Sequence, residues 1–345
     1  MWRLRPGLAL LAALACLGWW GPAWAQASRV GDSAVVVMYH RFGDGRYPST
    51  NIRLDQFEAH LSELAAGGHT VVPLPTLVEA LRGGAPLPDK AVAITIDDAW
   101  ASVYTQAWPR LRAAKLPFTL FVVTDETDRG GPEMMTWDQI RELAASGLVT
   151  IGTQGAAHPH MAGMPAADIA EDLKRGRARI AEELGGKAPE LLAWPFGEAS
   201  VEAMGAAGAA GFTAAFGQHS GVAWPGGERF YLPRFALNET YGELPRFRLA
   251  VRALPLRAVD VTPADPFLAG ANPPAFGFTL APESPEDVHV TCYASHQGPV
   301  RHEHLGPRVE VRLDKPFPSG RGRINCTAPA LDGRWRWFGW QFTVP

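Results

Sequence analysis

Cysteine is scarce in this chain: three residues in 345, and one of them, Cys16, falls in an N-terminal stretch that reads as a leader. That scarcity excludes a disulfide-dense scaffold and a cysteine-built metal cluster. Lys and Arg nowhere cluster, and the formal net charge is −3, which argues against a nucleic-acid surface and against an electrostatic membrane dock. No apolar run is long enough for a confident membrane span. No internal repeat is visible, which sets aside a solenoid. What remains is a chain 47 % hydrophobic and 19 % charged, long enough for a large core and about two domains.

Arg3 and Arg5 precede an apolar core from Leu8 to Leu17, and Ala23-Trp24-Ala25 is an A-x-A cleavage pattern. Residues 1–25 are therefore expected to be a signal peptide. The mature protein is expected to be exported, periplasmic or secreted, with no transmembrane anchor. Cys16 follows Ala13-Leu14-Ala15, a poor match to a lipoprotein box. With the leader gone, Cys292 and Cys326 remain, and an exported chain with two cysteines suggests one disulfide between them.

From residue 30 to 252, short β-branched runs alternate with segments of helical period. The runs include Ala34 to Tyr39, Ala91 to Ile96, Phe118 to Val123, Val149 to Gly152, Leu191 to Trp194 and Phe212 to Phe216. That alternation predicts an α/β fold on a parallel sheet, open or closed into a barrel. After Arg252 the helical period disappears. Pro255 to Pro266 reads as a linker, and residues 267–345 as a small all-β sandwich. In the last strand, Phe338, Trp340, Phe342 and Val344 share one face and Trp335 and Trp337 the other. One face must be core. The other either docks on the first domain or binds glycan.

The stretch Ala93-Ile94-Thr95-Ile96-Asp97-Asp98-Ala99 ends a buried strand in two adjacent carboxylates. Burial makes each costly unless it is paired, hydrogen-bonded or metal-bound. Alternation along a strand prevents the two from sharing one orientation. They read either as a site or as a strand end followed by a helix cap. Other polar residues also fall at the carboxyl ends of predicted strands, where sites in such folds lie: His40, Gln154 and His158. His40 and Tyr39 either line that cleft or are buried hydrogen-bonded core groups. His160 is either a solvated loop residue or, two positions from His158, a side chain that reaches the same ion. Trp137 and Trp194 either stack on sugar rings or pack in the core.

Read together, Thr95-Ile96-Asp97-Asp98, Gln154-Gly155-Ala156-Ala157-His158 and Trp194-Pro195-Phe196-Gly197 resemble three motifs of one family. These are the polysaccharide deacetylases of carbohydrate esterase family four, the NodB-homology domain. The motifs are T-F-D-D, H-[ST]-x-x-H and R-x-P-[YF]-G. Met38-Tyr39-His40 and the Trp-Pro-Phe-Gly form look most like the branch that deacetylates poly-β-1,6-N-acetylglucosamine. The resemblance covers residues 33–250. It implies a distorted (β/α) barrel and metal-dependent removal of N-acetyl, or less readily O-acetyl, groups from an extracellular or cell-wall polysaccharide. An impaired member that binds polysaccharide or helps its assembly is the alternative it leaves.

By the same resemblance Asp97 is the general base, and Asp98 and His158 hold a divalent ion, Zn, Co or Ni. Gln154 stands where the family has a third, imidazole ligand, and its neutral amide would weaken the metal. Tyr39, His40, Trp137, Trp194, Pro195 and Phe196 are expected on the substrate side. The arginine of the third motif is absent. Arg234, in Leu232-Pro233-Arg234-Phe235, is a candidate partner for a site carboxylate or the substrate, or else makes an ordinary surface ion pair. His219, at a late strand exit that does not match the family's Leu-x-His motif, is the candidate general acid or else a surface loop residue.

Overall fold

The computed structural model describes residues 1–2, 31–284 and 288–345. The expected leader from Arg3 to Ala25 lies outside them. Among the described residues no helix is long and apolar enough to cross a membrane.

The first half forms an eight-stranded sheet curved into a half-barrel. Its main path runs Phe235–Ala236, Val35–Tyr39, Ala91–Asp97, Phe118–Val122, Val149–Thr153, Leu191–Ala193 and Ala214–Phe216, with Thr70–Val71 pairing beside Ala91–Asp97. Every pairing along it is parallel. The strands are near-continuous apolar runs because both of their faces are covered. All residues of Val35–Tyr39, Ala91–Asp97 and Phe118–Val122 are buried. Helices Leu54–Ala66, Trp137–Ala145 and Ala166–Glu183 are among those that cross between strands. Thr136 caps the second of these by accepting the Gln139 main-chain N–H, and Gln139 returns the bond to the Thr136 N–H.

The second half is one curled sheet of eight strands. Its order is Leu254–Pro255, Trp335–Val344, Gly320–Pro329, Thr291–Ala294, Gly298–Leu305, Arg308–Arg312, Phe276–Leu280 and Ala258–Thr262. Every pairing is antiparallel except the first. The sheet folds over itself, so that Phe276 and Phe278 near one end pack on Phe338 and Phe342 of the strand near the other. The expected linker from Pro255 to Pro266 is not loop throughout. Leu254–Pro255 and Ala258–Thr262 are edge strands of this sheet, because their main-chain groups find partners there instead of water.

The two halves are packed together by the last strand. Trp337 meets Phe235 edge-on at 5.2 Å, and Trp340 meets Tyr231 at 5.5 Å. Both of its faces therefore bear on the parallel-sheet domain. The Tyr231 hydroxyl lies 3.0 Å from the carbonyls of both Gly197 and Gln341, one from each half.

Cys292 and Cys326 stand directly opposite one another on neighbouring strands and are joined as a disulfide across 34 positions of sequence. The double substitution Cys292→Ala with Cys326→Ala should lower unfolding free energy by about 2–4 kcal/mol, the range for closing a loop of this length. Urea unfolding of the full chain checks this. The oxidised wild type should match the double variant once a reductant is added.

Candidate active site

Asp97 ends the central strand Ala91–Asp97, and its side chain has no exposed surface. Its charge is met by Arg234, also fully buried, through two parallel bonds: Nη1 to Oδ1 at 2.7 Å and Nη2 to Oδ2 at 2.8 Å. Nη1 also reaches Thr95 Oγ1 at 3.2 Å, and Nε donates to the Gly217 carbonyl at 2.9 Å. A planar guanidinium meets a carboxylate in this forked manner with a geometry that lysine cannot copy. The third motif's missing arginine is thus replaced from Arg234, where the sequence had offered a carboxylate partner.

Asp98 turns the other way. Its φ is +73°, and Ala99 follows at +56°, so the chain leaves the strand through left-handed geometry. Such conformations are uncommon for residues with a Cβ, and they persist where the surroundings over-determine them. Asp98 Oδ1 accepts from Gln154 Nε2 at 2.7 Å, and Oδ2 from the Trp100 indole at 3.0 Å. Burial opposes the charge on Asp98. Nearby His40 and His158, with the two N–H donors, outweigh it and hold the carboxyl below the usual range. His158 Nε2 stands 3.9 Å from Asp98 Oδ1, and His40 Nε2 stands 3.9 Å from Asp97 Oδ2. Both imidazoles are partly open, His40 by 14 % and His158 by 22 %.

The loop that presents Gln154 and His158 is held from behind. Asp172, a carboxylate on the otherwise apolar face of helix Ala166–Glu183, accepts the main-chain N–H groups of Ala156 and Ala157, each at 2.9 Å. Gly155 has φ +82°, and a Cβ there would sit 2.2 Å from Asp172 Oδ1. The family's serine or threonine could not occupy this conformation without displacing Asp172. Sequence reasoning missed Asp172. Its signal was an acidic residue among Ile169, Leu173 and Ile180 on the buried face of the helix.

Several expected substrate contacts lie elsewhere. Tyr39 is core: its hydroxyl lies 2.9 Å from His60 Nδ1, and its ring packs on Phe42 and Phe57. Trp194 is fully buried, with its indole donating to the Phe230 carbonyl. Trp137 donates to Asp128 and is covered by Arg179. Pro195 is buried in the turn, while Phe196, at φ +58°, contacts His158 edge-on and stacks on His160 at 4.0 Å. His160 is anchored to the buried carboxylate of Glu198 at 2.7 Å, a second partner that the sequence did not reveal.

His219 also departs from expectation. It lies buried between Tyr231 and Trp340, at the junction with the second domain. Burial, reinforced by the charges of Arg323 and Arg234, pushes its pKa down to about 3. A group this reluctant to take a proton in the folded protein is poorly suited to be a general acid near neutrality.

The donor set does not fit the transition metal that the motifs imply. His158 and His40 are the imidazoles near Asp98, and both Asp98 oxygens already carry N–H donors. Gln154 presents its amide nitrogen, which has no lone pair to give. Among the described residues no group of three or more His, Cys, Asp or Glu is placed to hold an ion.

Two outcomes follow from these environments. Arg234→Met should cost about 3–5 kcal/mol in urea unfolding, because it strands a buried carboxylate, and Arg234→Lys should recover little of the loss. His219 stays neutral when folded but takes a proton near its ordinary 6.5 when unfolded. The unfolded state therefore binds more protons between pH 6.5 and about 3. Its share of stability is complete above that window and is lost as pH falls through it. His219→Phe should flatten this part of the stability–pH curve.

Comparison with known proteins agrees with this architecture. Residues 84–215 match the family described as polysaccharide deacetylase. The chain is 28 % identical over 232 residues to a poly-β-1,6-N-acetyl-D-glucosamine N-deacetylase of Escherichia coli K12, covering 55 % of this chain and 34 % of that protein. It thus spans about a third of that relative's length. A Staphylococcus aureus protein of the same name is 21 % identical over 236 residues, covering 60 % of this chain and 80 % of its own. Among solved structures, IcaB from Ammonifex degensii superposes with a TM-score of 0.58 at 29 % identity, over 65 % of this chain and 98 % of that one. The parallel-sheet domain of this chain is thus similar to polysaccharide deacetylases, exopolysaccharide deacetylases among them.

Proposed function

We propose that this chain is an exported hydrolase that removes N-acetyl groups from an exopolysaccharide of the poly-β-1,6-N-acetylglucosamine class. The observation that carries the reading is the Arg234-clamped Asp97 beneath the partly open imidazole of His40, at the strand ends where the family places its chemistry. The names of the relatives support the substrate class.

The steps use this chain's own groups. Asp97 and His40 act as one acid–base unit, because the carboxylate is sealed from solvent and the imidazole is its open neighbour. Water attacks the acetyl carbonyl carbon, and its proton passes to this unit. The carbonyl oxygen gains the negative charge, and the His158 N–H stabilises it as a hydrogen-bond donor. His40 returns the proton to the sugar nitrogen, the C–N bond breaks, and acetate and a free amine leave. A second reading, glycan binding without turnover, is favoured by the N–H donors on Asp98, which leave the carbonyl without a strong electrophile.

Acetate release from N-acetylglucosamine oligomers tests both readings. Asp97→Asn and His40→Ala should each slow release by about 10²–10⁴-fold. The pair of substitutions together should cost little more than either alone, as for residues acting as a unit. Release that is indifferent to both would sink the assignment. Oligomer binding without release from the wild type would establish the second reading.

A further inference from the structure

The amide of Gln154 is fixed in one orientation. Nε2 lies 2.7 Å from Asp98 Oδ1 and 3.5 Å from the Phe121 carbonyl, so both atoms in front of it are acceptors. Turning the amide end for end would set Oε1 against those two oxygens. The side chain cannot swing clear either. Gln154 is 1 % exposed, and its main-chain N–H is tied to the Val122 carbonyl at 2.9 Å. The neighbouring turn is fixed by Asp172 through Ala156 and Ala157. A divalent ion at this place needs a lone pair from a third side chain and an unencumbered carboxylate oxygen. The structure supplies a proton donor in the first role and bonds both oxygens in the second.

We infer that Gln154 takes the place of a resident metal ion in this chain, and that the site engages acetamido sugars without one. The amide does for Asp98 what an ion would do structurally. It meets the carboxylate with N–H partial charge and fixes the orientation of the Asp98–Ala99 turn, while Trp100 meets the other oxygen. Because an N–H is neutral, the arrangement avoids the need for a third charged or imidazole ligand. This inference rests on the proposed glycan site for its ligand, but not for its metal arm.

The test uses the full chain, stripped with a chelator and dialysed against zinc or cobalt chloride, with bound metal measured by elemental analysis. Wild type should hold far less than one ion per chain. Gln154→His should hold about one, with at least 100-fold higher affinity, because it supplies the missing imidazole. The cobalt-loaded variant should also gain a visible d–d absorption that wild type lacks. The wild-type measurement needs no variant to fold. Zinc bound by wild type at one per chain and lost on Asp98→Ala would overturn the inference. In a second arm, calorimetry follows an N-acetylglucosamine pentamer binding to wild type with and without chelator. Equal affinity supports the inference, and loss of affinity on chelation overturns it. No binding in either condition counts against the glycan assignment, while the metal arm still decides the role of Gln154.

Discussion

The buried pair of Asp97 and Arg234 is the constraint on which the site depends. The two residues are far apart in sequence, and each is sealed from solvent. Taking both charges out of water is expensive, and the cost is met only because five contacts converge on them: two between the pair, one to Thr95, one to the Gly217 carbonyl and the face of Phe121 at 5.5 Å. Arg234 directly precedes the edge strand Phe235–Ala236, which pairs in parallel with Val35–Tyr39. The pair therefore fixes the register at which that strand joins the sheet, and with it the neighbourhood of His40. A hydrophobic replacement of both residues would pack, but it would leave His40 with no charge to work against.

The second domain contributes to the same geometry from behind. Gln341 donates to the carbonyl of Gly197 at 2.9 Å, and Tyr231 bridges Gly197 and Gln341. Those bonds hold the Trp194–Gly197 turn. Phe196, in left-handed geometry on that turn, is the ring against which His158 and His160 lie. A strained aromatic position is kept by an over-determined backbone. The last strand is thus a brace for the imidazole side of the cleft, which gives Trp340 and Gln341 a reason to be buried rather than free for glycan.

The sequence carries much of this in local patterns. Parallel strands covered on both faces must be apolar throughout, so their positions are visible as β-branched runs, and their polar exits as isolated Asp and His residues. Arg234 was visible only as one of two readings, a partner for a site carboxylate or a surface ion pair, because its local sequence does not say which carboxylate it meets. Other features depend on tertiary placement. His219 and His40 both follow strands, and only packing makes one a sealed neutral group between aromatic rings and the other open to the cleft. Tyr39 reads equally well as cleft or core, and Trp194 more readily as core, because an aromatic ring with one polar atom suits either. The strands at Leu254–Pro255 and Ala258–Thr262 were hidden by flanking prolines, since edge positions tolerate them where central strands do not.

Adjacent aspartates receive opposite treatment in this fold, and that difference defines the chemistry left to it. Asp97 faces a full positive charge held in a rigid fork. Asp98 faces an amide and an indole, each neutral, with the His158 imidazole at a distance too long for a hydrogen bond. The charge of Asp98 is thus solvated by the protein rather than cancelled, and a field of negative sign persists at the mouth of the cleft. Such a field disfavours an oxyanion beside it. In the proposed reaction the His158 N–H, donating toward the acetyl oxygen, opposes that penalty. Replacing the amide by an imidazole lone pair would exchange an N–H donor on Asp98 for a ligand to a cation, so the chemistry of one buried side chain decides which of the two Asp98 meets.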